Sequence, residues 1–233
     1  MATPKGGKPF QTIDGLSSAI YIEATEDNFT MNLESIVLPD GEILYDLHYL
    51  SETEADTYLR ILQNDMQWEQ HQITIFGRQL SAPRLSAWHG DPDARYTYSG
   101  LALEPRPWTA PLRQLKTRLE KNAQTHFNSV LLNHYRDGQD SMGWHSDDER
   151  ELGEQPTIAS LSLGGTRRFL LKHKYRKELA PVELALGHGS LLIMRGQTQM
   201  HWQHQIPKTK RPVDARLNLT FRRIVKQRAL PCP

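Results

Sequence analysis

Residues 127–149 read FNSVLLNHYRDGQDSMGWHSDDE, and the fold is decided by how this stretch is read. From 129 to 136 it carries a short apolar run (Val130, Leu131, Leu132) passing into mixed polar and aromatic residues, which predicts a strand. Asp137 and Gly138 then mark a turn. Working outward, further short strands are expected at 157–163, 168–174, 190–194 and 216–224, separated by clusters of Gly, Pro, Asp and Asn. Strands this short and this closely spaced predict a sandwich or barrel and argue against a parallel βαβ sheet.

Upstream the period changes. Ser51 and Glu54 fit a capping box opening a helix over 51–66, with Ala55, Tyr58, Leu59 and Leu62 on one face. A second helix is expected over 109–126, capped by Thr109, with Pro111 tolerated in its first turn and Leu112, Leu115, Leu119 and Ala123 as its apolar stripe. Residues 72–76 and 96–99 read as extended, with Gly77 as a turn signal. The class is α+β: a loose segment over 1–20, an N-terminal lobe over 21–105 and a β-rich core over 106–228, within one structural domain.

With 233 residues, 38% of them hydrophobic, the chain can bury a core without staples. A single cysteine, Cys232, excludes a disulfide framework, a four-cysteine zinc site and an iron–sulfur cluster. Residues 1–18 are polar and hold no apolar run long enough for a signal peptide or a membrane span. A monomer without a membrane partner is expected, cytoplasmic, or nuclear in a eukaryote. The net charge of +1 conceals two opposed parts: residues 1–164 balance at −11 and residues 165–233 at +12. The basic part is either a face paired with the acidic part or a stripe that neutralises phosphates.

The chemistry concentrates in Gly143-Trp144-His145-Ser146-Asp147-Asp148-Glu149. His145 and Asp147 are two apart, so on an extended segment both project from one face. An imidazole and a carboxylate on one side are two legs of the 2-His-1-carboxylate triad that holds Fe(II) with open positions. The third leg must be a distant histidine: His173, His188, His201 or His204. On the last strand, Arg216, Asn218, Thr220 and Arg222 share one face, and arginines on one face make a receptor for a dicarboxylate. Asn133 and Tyr135, also two apart, add an amide and a phenol. Together these residues describe an iron that takes 2-oxoglutarate as co-substrate.

The stretches FNSVLLNHYRDGQDSMGWHSDDE (127–149), IASLSLGGTRRF (158–169), HGSLLIMRGQTQMHWQHQIPK (188–208) and RLNLTFR (216–222) resemble the AlkB family of Fe(II)/2-oxoglutarate-dependent dioxygenases, in its alkylation-repair branch. PRLSAWHGD (83–91) and YTYSGL (96–101) extend the resemblance, which covers residues 72–224. It implies a double-stranded β-helix, or jelly roll, with supporting helices and a nucleotide-recognition lid in the 21–105 lobe. It also implies His204 as the third metal ligand. Asn133, Tyr135, Arg216 and Arg222, with Asn218 nearby, are implied as the 2-oxoglutarate site, Arg216 and Tyr135 at the distal carboxylate.

By the same resemblance Tyr98, paired with Tyr96, stacks on the substrate base, whose other face lies on His145. Asp148 or Glu149 contacts the polar edge of the base, and Phe76 sits where a duplex-acting relative carries a wedge. The implied activity is oxidative dealkylation of bases such as 1-methyladenine and 3-methylcytosine in DNA, using O2 and releasing formaldehyde, succinate and CO2. Two other readings share the motifs: a demethylase of RNA or tRNA with the same iron chemistry, and a nucleic-acid-binding module with a dead iron site.

Overall fold

The computed structural model describes residues 32–75, 77–94, 96–98 and 101–225. The first half supplies β1 (Glu34–Leu38), β2 (Gly41–Asp46), α1 (Glu52–Asp65), β3 (Gln72–Ile75), β4 (Arg78–Ser81), β5 (Leu85–Gly90), β6 (Tyr96–Tyr98), β7 (Leu101–Leu103) and α2 (Ala110–Ala123). The second supplies β8 (Ser129–Tyr135), β9 (Met142–His145), β10 (Ile158–Gly164), β11 (Arg167–His173), β12 (Val182–Leu186), β13 (Leu191–Arg195), α3 (Thr198–His201), β14 (Trp202–Ile206) and β15 (Arg216–Arg222).

Seven strands form one sheet in the order β1-β2-β13-β10-β15-β8-β5, and four form a second in the order β12-β11-β14-β9. Every pairing within both sheets is antiparallel. Ile43, Ile158 and Leu192 of the larger sheet and Phe169, Leu171 and Ile206 of the smaller belong to one buried cluster, so the sheets pack face to face as a jelly-roll sandwich. The larger sheet draws β1, β2 and β5 from before residue 105, so that position does not divide the sheet.

The α1 capping box forms in full. The Ser51 hydroxyl accepts from the Glu54 backbone N–H, and the Glu54 carboxylate accepts from the Ser51 backbone N–H at 3.1 Å. At α2 the expectation holds only for position. Thr109 has the extended N-cap backbone, but its side chain makes no capping bond, and Pro111 places a residue with no N–H in the first turn. The predicted stripe of Leu112, Leu115, Leu119 and Ala123 is buried, and α1 packs on β10 and on α2.

β15 departs from the ordinary meaning of its alternation. Leu217, Leu219 and Phe221 are buried, with Phe221 facing the rings of Trp108 and Phe127, yet Arg216, Asn218 and Thr220 are buried as well. The strand runs between β10 and β8, and its polar residues line a cavity together with residues of the smaller sheet. The polar side of this strand is therefore interior. Where the turn after β10 meets the start of β15, a Cβ on Gly164 or Gly165 would collide with the carbonyls of Ala215 and Asp214. Gly164 also has a φ of 85°, so this junction requires glycine.

Candidate active site

His145 lies directly opposite His204 in the pairing of β9 with β14. Asp147 follows two residues after His145, just beyond the end of β9. One ligand atom from each of His145, Asp147 and His204 lies within 4.8 Å of the others. Nδ1 of His145 is 2.9 Å from the carbonyl oxygen of Gly143, which can only accept. Nδ1 therefore carries a proton, which leaves Nε2 as the nitrogen to face a metal. Burial, and next the neighbouring His145, push His204 down to about 3, so it is neutral at pH 7. Burial alone would raise the Asp147 carboxyl, but Arg222, with His204 and His145, holds it below the ordinary carboxylate range. Two imidazoles and a carboxylate at this spacing fit Fe(II).

The other candidate histidines have other tasks. Nδ1 of His188 accepts from the Gly164 backbone, and its Nε2 faces Asp56 at 3.2 Å. His201 ends α3 instead of standing on a strand, because the chain changes from helix to strand between it and His204. Asp40, His173 and His201 form a second grouping of metal-ligating types. There Nδ1 of His173 accepts from the backbone N–H groups of Tyr175 and Arg176, which forces the proton onto Nε2. That nitrogen lies 3.3 Å from the Asp40 carboxylate, a charge contact between the β1–β2 turn and β11, and its N–H offers a metal no lone pair.

The register of β15 on β8 sets Arg216 opposite Tyr135 and Asn218 opposite Asn133, which brings the predicted residues of two distant segments to one wall. Arg216 is 1% exposed. Its Nη2 donates to Ser162 at 2.9 Å, its guanidinium lies 5.3 Å from the Tyr135 ring centre, and Nε and Nη1 have no partner. Burial pushes it down to about 10, with Tyr135 opposing, and it stays cationic at neutral pH. A buried cation with two unpartnered donors calls for an anionic ligand. The cavity it lines also holds Asn133, Asn218 and Arg222 and the His145, Asp147, His204 trio, so an anion at Arg216 would share one cavity with that cluster.

Three features of this wall are unreadable in sequence. Nε of Arg84 donates to Oδ1 of Asn133 at 2.9 Å, which leaves the Asn133 amide N–H groups for a carboxylate. Asn218, in contrast, already donates to Ser160 at 2.8 Å and to the Leu161 carbonyl at 3.2 Å, holding β15 to β10. Arg222 sends Nη2 to Oδ1 of Asp147 at 2.8 Å while its Nε has no partner.

Around the cavity, Asp148 is exposed and paired with Lys174 at 2.9 Å, whereas Glu149 has a buried Oε2 with no partner. Burial raises the Glu149 carboxyl above its ordinary value, with Arg222 opposing. Among the described residues, the hairpins β3–β4 and β6–β7 form two-stranded sheets of their own, apart from the two large sheets. Tyr96 and Tyr98 lie on β6, where the backbone alone is described, and Phe76 lies outside the described residues.

The basic stretch around His173 proves largely self-paired. Arg168 pairs with Glu183, Lys174 with Asp148, and Arg176 with Glu178 and Asp40. Arg167 is buried and donates to the carbonyls of Asp137, Asp140 and Pro207. Lys208, Lys210 and Arg211, on the segment after β14, take part in no described ion pair.

A jelly roll whose cavity holds two histidines and a carboxylate, with a buried arginine that has two unpartnered donors, defines a non-haem iron oxygenase that uses a 2-oxo acid. Residues 43–222 match the model of the 2OG-Fe(II) oxygenase superfamily. The chain is 45% identical over 179 residues to "Alpha-ketoglutarate-dependent dioxygenase alkB homolog 3" of Mus musculus, covering 73% of this chain and 62% of that protein. It is 42% identical over 182 residues to "DNA oxidative demethylase ALKBH2" of Mus musculus, covering 74% of this chain and 76% of that one. "The structure of OsALKBH1" shares the fold at a TM-score of 0.58 and 17% identity, over 81% of this chain and 100% of that one. The chain thus belongs to the 2OG-Fe(II) oxygenase superfamily and, within it, to the AlkB family. It spans 62% of the length of the alkB homolog 3 relative.

Proposed function

We propose that the protein removes N-alkyl groups oxidatively from bases in DNA, with Fe(II) on His145, Asp147 and His204 and 2-oxoglutarate on Arg216, Tyr135 and Asn133. One observation carries the site: a buried guanidinium with two unpartnered donors shares its cavity with a 2-His-1-carboxylate cluster. The names of the relatives, an alpha-ketoglutarate-dependent dioxygenase and a DNA oxidative demethylase, support the substrate class.

When bound, Fe(II) with 2-oxoglutarate and O2 supplies the oxidising power that converts an N-methyl group to a hydroxymethyl group, which leaves as formaldehyde. The chain's own residues orient and charge the site. The Arg216 guanidinium, flanked by the Tyr135 ring, takes the distal carboxylate. Arg84 fixes the Asn133 amide so that its N–H groups face the co-substrate. The Nδ1–H bond of His145 to Gly143 keeps Nε2 available, and Arg222 keeps Asp147 ionised. Glu149, which has no cation partner in a described ion pair, is the better placed of the two acids to meet a cationic base such as 1-methyladenine, because Asp148 is held by Lys174. Tyr98, paired with Tyr96, stacks on the flipped base, Phe76 meets the duplex, and the two hairpins serve as the lid.

The decisive experiment follows 2-oxoglutarate conversion to succinate with iron and ascorbate, in the presence of methylated or unmethylated oligonucleotides. Stimulation by methylated DNA, lost in the His145→Ala, Asp147→Ala double variant, is expected. Full activity of that variant would overturn the assignment, and faster turnover on methylated RNA than on either form of DNA would redirect the substrate.

A further inference from the structure

Asp147 is held from behind as well as from the metal side. Its backbone N–H donates to Oε1 of Gln199 at 2.9 Å, and both residues are buried, Gln199 to 1% exposure. Gln199 sits on α3, a single turn between β13 and β14, and that turn is anchored elsewhere. The Thr198 hydroxyl accepts from the Glu42 backbone N–H at 2.8 Å and donates to the Arg195 carbonyl at 2.6 Å. Nζ of Lys174 then bridges the Gln199 carbonyl at 2.8 Å and the Asp148 carboxylate at 2.9 Å. The loop after β9 is thus clamped to α3 at two successive residues, and α3 is clamped to β2.

We propose that Gln199 is a positioning residue for Asp147, one that sets the metal-ligating carboxylate through its backbone amide; this rests on Asp147 being a ligand of the iron. The physical reason lies in the competition for that N–H. A buried amide donor must find an acceptor. Short acidic side chains readily take hydrogen bonds from nearby backbone N–H groups, their own included. With the Gln199 side-chain oxygen removed, the Asp147 carboxylate can take the bond from its own amide instead, and a carboxylate held there leaves the place it has beside His145 and His204. Sequence gives no sign of this link, since Gln199 lies 52 positions from Asp147 and carries no charge or metal-ligating atom.

The test compares Gln199→Leu, which keeps bulk and loses the acceptor, with Gln199→Glu, which keeps an acceptor oxygen. Mn(II) binding to the metal-free full chain is read from the loss of the free-ion electron paramagnetic resonance signal, alongside the unfolding midpoint without metal. Gln199→Leu is expected to weaken Mn(II) about 10- to 100-fold, with Gln199→Glu restoring most of that loss. If Gln199→Leu fails to fold, Gln199→Met takes its place in the same comparison. A lowered unfolding midpoint with unchanged Mn(II) affinity would show a purely structural role and overturn the proposal, as would a Gln199→Glu protein as impaired as Gln199→Leu. Wild-type protein that binds no Mn(II) would instead sink the metal site itself, and this proposal with it.

Discussion

Nη2 of Arg222 lies 2.8 Å from Oδ1 of Asp147, so the last residue of β15 is ion-paired to the acidic member of the His145, Asp147, His204 cluster. Both side chains are largely withdrawn from water, at 16% and 4% exposure. Removing one partner of such a pair leaves an uncompensated charge, a loss of about 3–5 kcal/mol. Arg222→Met should therefore lower the urea midpoint of the metal-free protein sharply. Added Mn(II) should stabilise this variant more than wild type, because the ion supplies the missing positive charge. Equal midpoints for variant and wild type without metal would contradict this account.

Arg216 should govern co-substrate binding more than turnover. Hydrogen bonds to charged groups contribute about 1.5–3 kcal/mol, so Arg216→Met should raise the KM for 2-oxoglutarate about 10- to 100-fold. The kcat at saturating co-substrate should change far less. The thermal shift that 2-oxoglutarate produces in wild type should vanish in the variant. A KM close to wild type would place the distal carboxylate elsewhere.

The depressed His204 makes metal-free stability depend on acid. An unfolded histidine takes its proton near pH 6.5, whereas His204 in the fold takes one only near 3. Between those values the unfolded chain binds more protons, so stability is present above about pH 6.5 and falls as pH drops, by at most about 1.4 kcal/mol per pH unit from this one group. Urea midpoints of the metal-free protein at pH 7 and pH 5 should differ more in wild type than in His204→Asn. Parallel pH dependence in the two proteins would remove His204 as the cause.

The basic segment after β14 should act on DNA without regard to sequence. Replacing Lys208, Lys210 and Arg211 by alanine should weaken binding uniformly across oligonucleotides. For each phosphate no longer neutralised, the slope of log affinity against log salt should flatten by about 0.9 on duplex and about 0.7 on a single strand. Arg168→Ala, which breaks a surface pair with Glu183, should leave that slope unchanged. An unaltered slope in the triple variant would assign phosphate binding to other residues.

Much of the architecture was legible because it depends on neighbours in sequence. The α1 boundaries follow from Ser51 and Glu54, and β8, β10, β11, β13 and β15 each begin and end within two residues of expectation. β1 and β2 were not anticipated, although Pro39-Asp40-Gly41 is a turn signal between them and Asp40 there adopts a φ of 54°. Short β12 and β14 alternate too briefly to stand out from loop.

By itself the sequence determined α1 and α2, the strands β8, β10, β11, β13 and β15, the sandwich-or-barrel class of the core and the inventory of chemistry: an H-x-D, downstream histidines, and arginines on one face of a strand. Only the tertiary structure decided how these meet. Strand register set His204 opposite His145 and Arg216 opposite Tyr135, and packing made the polar side of β15 the inside of the sandwich. The same packing made Arg167 a buried clasp on three carbonyls, and gave Asp147 the partners Arg222 and Gln199. The reason is physical: alternation along a strand reports two faces but not which one meets water. Which side chains meet across a sandwich depends on contacts between segments far apart in the chain, which local propensity does not encode.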